Sequence, residues 1–320
     1  MKKILFVLSI TGLMIAEGKI GGVTYFEFIS ADDSTALNFQ RQYFSYGADV
    51  SDNVSFKIIY DVGRTNQNEG EDTRLVAFLK KAQINYKTSF SKFDFGLIGM
   101  NTYGVQEKNW GYRFIEKSAI DKYEFSSTAD IGVGFSRSLI DNLNWSLQIV
   151  NGEGFKKPQG DKFQKFAFNA TYGERNLNKN DGYNVGVVYT TESTDNDPTT
   201  MTSLFGGYSG MGLRLGGQYN MLTKGNIESN IVSVSVNYAV RDKINVFARY
   251  DLADPWTESV DDPITNDLNE GEDNSTYLIA GIVLTCDGGI SIAPNVKMTN
   301  YENTAKESES EYKVNFQFKF

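Results

Sequence analysis

Histidine is absent from this chain. Its absence excludes a Ser-His-Asp hydrolase, a histidine general base and the usual zinc sites, each of which needs an imidazole. No catalytic residue, metal site or cofactor is expected. The single cysteine, Cys286, cannot form an intrachain disulfide and is read as a thiol without chemistry. Past the first residues no run of about 20 apolar residues occurs, so no transmembrane helix is expected. What the chain does have is aromatic residues: 13% of the total, with 22 Phe and 18 Tyr, beside 30 Gly. Many aromatics without apolar blocks suggest apolar side chains spread one in two, as the strands of a barrel need.

The first residues, "MKKILFVLSITGLMIAEG", set Lys2 and Lys3 before a short apolar run from Ile4 to Ile15, with small Ala16 and Gly18 after it. This pattern reads as a secretory signal over residues 1–17, leaving 18–320 as one exported domain.

Alternation then recurs along the chain. "VSFKIIYDVG" places Val54, Phe56, Ile58, Tyr60 and Val62 on one face, with Ser55, Lys57 and Asp61 on the other. "NIVSVSVNYAV" sets Val232, Val234, Val236, Tyr238 and Val240 on one face. The final "EYKVNFQFKF" sets Tyr312, Val314, Phe316, Phe318 and Phe320 against Lys313, Asn315, Gln317 and Lys319. A period of two repeated in segments of about 8–12 residues is the signature of membrane-spanning strands. Short connectors such as 51–53, 89–92, 140–142, 209–210, 241–243 and 286–289 alternate with longer ones at 64–73, 101–127, 151–162, 191–200, 222–229, 252–274 and 302–310. The first long-side connector, 31–35, is brief, and the turn at 173–182 is longer than its peers.

The expected fold is an all-β transmembrane antiparallel barrel of about 16 strands, wide enough for an aqueous channel. Pro294 falls inside a proposed strand, so 14 strands remain possible. Phe316, Phe318 and Phe320 are expected at the membrane boundary, where aromatics form a girdle, and a terminal Phe on such a strand resembles the assembly signal of bacterial outer-membrane proteins.

The connector 101–127 is long enough to be functional. It carries Lys108, Arg113, Lys117 and Lys122 against Glu107, Glu116, Asp121 and Glu124, with Trp110, Tyr112, Phe114 and Tyr123 among them. "WGYRFIEKSAIDKYEFSSTADIGVGFS" (Trp110–Ser136), "VNGEGFKK" (Val150–Lys157) and "FQRQYFSYGADVSDNVSFKIIYDVGR" (Phe39–Arg64) resemble the phosphate-selective porin O/P group. The resemblance covers roughly the first half. It implies a sixteen-strand, trimeric, anion-preferring outer-membrane channel whose third outer loop, 101–127, folds inward. The constriction residues would then be Lys108, Arg113, Lys117, Lys122, Glu116 and Asp121.

The formal net charge of −9 argues at first for cations. Asp251, Asp254, Glu258, Asp261, Asp262, Asp267, Glu270, Glu272 and Asp273 lie in one stretch, 251–273, without Lys or Arg, and equal the whole imbalance. That stretch reads as a solvated outer loop, bridged to lipopolysaccharide by divalent cations. With the apolar series facing lipid, the inward set holds Arg41, Lys57, Lys81, Lys165, Arg214, Arg249, Lys297 and Lys313, against Glu27, Asp61, Asp94 and Asp130. A basic wall favours anions, although a one-residue register slip would invert the assignment. The expected function is passive diffusion of small hydrophilic solutes through a bacterial outer-membrane porin that prefers phosphate-like anions. Its partners would be outer-membrane lipid, lipopolysaccharide, small anions and two further copies in a homotrimer, with no nucleic acid. A non-selective or sugar-admitting porin, and an outer-membrane enzyme or adhesive barrel, stand as alternatives.

Overall fold

A computed structural model describes residues 17–31, 34–64, 74–195, 197–225, 227–254, 274–302 and 306–320. Residues 1–16 of the expected leader therefore lie outside the described residues, as do residues 255–273 of the acidic stretch.

Sixteen strands follow one another: β1 Lys19–Ala31, β2 Ser34–Asp49, β3 Val54–Arg64, β4 Leu75–Lys87, β5 Lys92–Gly99, β6 Ala129–Ile140, β7 Leu143–Val150 and β8 Lys165–Gly173. The second half holds β9 Gly182–Glu192, β10 Thr199–Gly210, β11 Leu213–Lys224, β12 Ile227–Arg241, β13 Ile244–Asp254, β14 Ser275–Thr285, β15 Ile290–Tyr301 and β16 Glu309–Lys319. Two short helices, α1 Gly104–Trp110 and α2 Ala119–Lys122, lie between β5 and β6.

Each strand pairs antiparallel with its sequence neighbours, and β1 pairs with β16, so the sheet closes with no free edge. At the seam Phe316 stands opposite Phe26 and Phe318 opposite Thr24. Beyond the paired register, Gly22 N–H donates to the Phe320 carbonyl at 3.0 Å and Phe320 N–H returns the bond at 3.1 Å. Phe318 and Phe320 are exposed on the outer surface, with ring centroids 5.7 Å apart.

The alternation in sequence becomes an inside and an outside. Val232, Val234, Val236, Tyr238 and Val240 of β12 are all exposed, while Ser229, Ile231, Ser233 and Asn237, at the alternate positions of the strand, are buried inside. Strand after strand presents exposed Phe, Tyr, Leu and Val outward, a surface that water would penalise and hydrocarbon would not. This outer apolar band makes the molecule a membrane barrel of the outer-membrane type.

The fourteen-strand alternative is set aside by β15, which contains Pro294 and still runs twelve residues. Pro294 has no N–H to give, and the β14–β15 pairing is interrupted there, between Gly281↔Asn295 and Leu284↔Ile292. The other side of the strand continues unbroken, with Pro294 opposite Val314.

Two connector boundaries differ from expectation. The long connector placed at 222–229 shrinks to 225–226, because β11 and β12 extend and pair up to Lys224↔Ile227. Asp251 and Asp254, assigned to the acidic loop, belong to β13, and Asp251 points into the barrel. The hairpin between β10 and β11 turns on Met211 (φ 53) and Gly212 (φ 79), the two left-handed residues of a type I′ turn.

Val234 lies at the middle of β12 on the outer face. Val234→Lys is expected to cost about 2–4 kcal/mol of folding free energy in bilayers, the price of a charge at mid-depth. Lys57→Gln, on the inner face, should cost far less. Denaturant titration of the refolded barrel in lipid vesicles compares the two.

Candidate functional site

The connector after β5 passes through the barrel instead of over it. Its α1 helix ends at Gly111, whose φ of 82 closes the last turn and directs its N–H to the Glu107 carbonyl at 2.7 Å. A Cβ at Gly111 would meet the Arg214 guanidinium, the movable end of a side chain, so it is the left-handed backbone that favours glycine here. The helix buries Val105, Gln106, Asn109 and Trp110 on one stripe. It lies on Gly207 of β10 and Gly216 of β11, which stand opposite each other on the inner wall. A Cβ on Gly207 would come within 2.7 Å of the Asn109 amide nitrogen.

Apolar contacts continue along the connector. Val105, Ala119, Ile120 and Phe125 pack on Val188, Met201, Phe205, Leu222, Ile231 and Ala253 of the inner wall. Trp110, Phe114 and Ile115 pack on Tyr25, Phe247, Tyr277, Ile279, Val283 and Ala293. Where the connector covers it, the inner wall mixes these apolar side chains with buried polar ones such as Ser203, Asn184 and Asn237.

Polar side chains of the wall then take the connector's carbonyl groups. Arg214 Nη2 and Asn237 Nδ2 donate to the Trp110 carbonyl at 3.1 and 3.4 Å. Lys297 Nζ donates to the Ile115 carbonyl at 3.2 Å and to Glu116 Oε2 at 2.8 Å. Arg249 Nη1 donates to the Lys117 carbonyl. Arg249 is only 2% exposed and pairs bidentately with Asp251, at 2.8 and 2.6 Å. Glu116 also accepts from the Tyr277 hydroxyl at 2.7 Å. Burial opposes its charge, but Lys297, Lys122 and the Tyr277 hydroxyl outweigh it and hold the carboxyl well below the usual carboxylate range.

Arg214, Arg249 and Lys297 thus face inward and hold the connector, and of these three Lys297 also borders the chamber on the long-connector side. Lys165 sits at 2.8 Å from Glu192 and donates to the Gly152 carbonyl at 3.3 Å. Lys313 lies 3.4 Å from Glu27 and 3.1 Å from Glu311.

The remaining three, Arg41, Lys57 and Lys81, lie on β2, β3 and β4, away from the docked side. A fourth cation joins them. Between Ile59↔Lys81 and Tyr60↔Leu79 the β3–β4 register shifts by one, and the extra residue is Lys80. The bulge lets adjacent Lys80 and Lys81 both serve the inside, which strict alternation cannot predict. Lys80 lies 3.7 Å from Asp61 and donates to the Tyr43 hydroxyl at 3.1 Å, where Arg41 also donates at 2.6 Å.

Across from these cations the connector presents Arg113, bridged to Glu107 at 3.3 Å and Asp121 at 3.2 Å. Burial raises the pKa of Glu107 above the usual glutamate value, and Asp121 adds to the rise, against the opposing pull of Arg113, Lys80 and Lys81. Lys122 stands over the Tyr277 ring at 4.2 Å. Lys108, Lys117 and Lys122 make no ion pair within the described residues.

Two chambers flank this level. One of about 710 Å³ opens toward the long connectors, bordered by Arg41, Asp61, Arg113, Lys117, Lys122 and Lys156. The other, about 820 Å³, opens toward the short turns, bordered by Lys92, Asp94, Asn101, Gln148, Asn169 and Arg175.

No family model matches the chain, and no curated protein matches it. Solved structures do. OmpF of Salmonella typhi, in complex with daunomycin, superposes with a TM-score of 0.69 at 12% identity, over 95% of this chain and 98% of that one. A trimer form of in-vitro folded OmpT, an outer-membrane protein of Vibrio cholerae, gives 0.63 at 13% identity, over 95% and 99%. The anion-selective porin of Comamonas acidovorans gives 0.64 at 9% identity, over 95% and 100%.

Arg249→Ala would leave Asp251 buried without its partner and free the Lys117 carbonyl. The expected cost is about 3–5 kcal/mol, with a loosened connector. Denaturant titration reads the cost, and noisier, larger single-channel currents read the loosening. Through its fold, nearly whole chain against whole chain, this protein shares the sixteen-strand barrel of bacterial outer-membrane proteins.

Proposed function

We propose that the chain is an outer-membrane porin that passes small hydrophilic solutes by passive diffusion and prefers anions. The observation that carries this reading is the uneven filling of the lumen. The connector covers the inner wall from β9 to β15 and reaches Tyr25 of β1, and the wall across from it bears Arg41, Lys57, Lys80 and Lys81, with Arg41 bordering the chamber of about 710 Å³. Cations beside a narrow aqueous path, walled by low-dielectric protein, raise the local anion concentration. The anion-selective neighbour of the same fold supports the reading, and the trimeric neighbour supports a homotrimer. The resemblance to the O/P group adds phosphate as the solute class.

The rest of the assignment follows from the same reading. Residues 1–17 serve as the export signal, lipid and lipopolysaccharide surround the barrel, and Phe316, Phe318 and Phe320 sit in the aromatic girdle. Size and charge filtering replace catalysis. A weakly selective general porin is the second reading, favoured by Glu107 and Asp121, which set acid opposite the basic wall.

Charge reversal separates the two. Lys80→Glu together with Lys81→Glu is expected to move the zero-current potential under a KCl gradient toward cations, and to weaken the reduction of chloride current by added phosphate. Unchanged values in a conducting double variant would favour the second reading. The pH dependence follows from Glu107. Its pKa is raised, so it takes up a proton sooner than a free glutamate as pH falls, and one negative charge opposite the lysines is lost. Anion preference should therefore rise as pH drops into the mildly acid range. In Glu107→Gln the potential should already be shifted toward anions at neutral pH, and the rise in that range should be smaller.

A further inference from the structure

The connector between β8 and β9, residues 174–181, is longer than its neighbours at the same end of the barrel. It folds inward. Leu177 is 1% exposed and reaches Gly207 beside Asn109 of α1. The Glu174 carbonyl accepts from Asn184 Nδ2 at 2.7 Å. Asn184 and Asn109 exchange two amide hydrogen bonds, both 2.9 Å. The long connector descending from one end and this turn rising from the other therefore meet inside the barrel and support each other. Between them they fill the β9–β11 side at the short-turn mouth, taken as the periplasmic one because outer-membrane barrels carry short turns there, and the opening that remains lies over β4–β8.

One side chain of the turn overhangs that opening. The neighbouring Glu174 carboxylate is turned to the turn itself, accepting from Asn176 N–H at 2.7 Å and Asn180 Nδ2 at 3.1 Å, and makes no ion pair with Arg175. Arg175 borders both the chamber of about 820 Å³ and a second hollow of about 500 Å³ formed by the turn. Its side chain is exposed at the surface of the turn, and the crowding of the surrounding wall lowers its pKa. Lys108 of α1 is close enough that Arg175 lowers its pKa as well, second to burial. Two cations from two different elements thus converge, with Glu107 and Glu174 opposing them at Lys108 and neither cation held in an ion pair among the described residues, in contrast to Lys92, which is bridged to Asp94 at 2.8 Å.

We propose that the β8–β9 turn is a second collar of the pore, built from the periplasmic end, in which Arg175 sets the charge of the exit for small inorganic anions. This rests on the channel reading above. The turn props α1 through Leu177 and Asn184, and it narrows the exit while Arg175 supplies the field there.

The test uses the full refolded chain in planar bilayers, with phosphate as the probe added from one side at a time. Arg175→Glu is expected to lower the anion-to-cation permeability ratio by about two-fold or more, the scale of one reversed charge in a low-dielectric mouth. It should also weaken the phosphate effect from the short-turn side more than from the other, and alter rectification. Leu177→Ser should release the turn and enlarge single-channel conductance. Arg175 is on the surface of the turn, so its variant remains informative where Leu177→Ser fails to fold. A conducting wild type with an Arg175→Glu variant identical in selectivity, sidedness and rectification would overturn the collar and leave the channel reading intact. A wild type that carries no current would overturn both.

Discussion

The carbonyl groups of Trp110, Ile115 and Lys117 lie inside the barrel, outside any ladder, and each needs a donor there. The wall supplies one to each, from Arg214 and Asn237, Lys297, and Arg249. Everything about the lumen depends on this capture. Without it a sixteen-strand barrel encloses a wide aqueous hole. With it, one side of the hole is packed with aromatic and aliphatic side chains, and the path is pressed against the strands that remain polar.

The same capture decides which charges count. The deeply buried Arg249–Asp251 pair is committed to structure, and the Lys297–Glu116 pair reaches the connector's own acid. Burying such groups is costly unless every lone pair and proton is used, and here the connector backbone completes the set. A formal charge of −9 therefore says little about the path. What matters is that the docked side spends its cations on carbonyl groups, while Arg41, Lys57, Lys80 and Lys81 lie across from it, with Asp61 3.6 Å from Arg41 and 3.7 Å from Lys80.

Much of the barrel was legible in the sequence, because a period of two has a single physical meaning when one face meets hydrocarbon and the other water. Val232 to Val240 and Tyr312 to Phe320 announced their strands directly. The connector's entry into the lumen was carried only by a family resemblance, yet two local signals bore on it. Gly207 and Gly216 leave room on facing strands, and Ile231, Phe247 and Ile279 are apolar on the inner face, where lumen polarity alone would not place them. Lys80 was hidden because a β-bulge breaks the parity on which the inward assignment rests. The division of the eight inward cations between anchoring and lining was hidden too. It depends on where the connector's carbonyl groups fall in space, which no alternation encodes. The length of the 173–182 turn was visible, but its inward fold depends on Leu177 finding the gap at Gly207.

The central claim is that the docked connector leaves a conducting path whose fixed charge is basic. The zero-current potential of the refolded wild-type protein in a planar bilayer, under a KCl gradient at neutral pH, tests it most directly. The account predicts channel currents and a potential of anion sign. A potential of cation sign, or no current from a folded barrel, would contradict it.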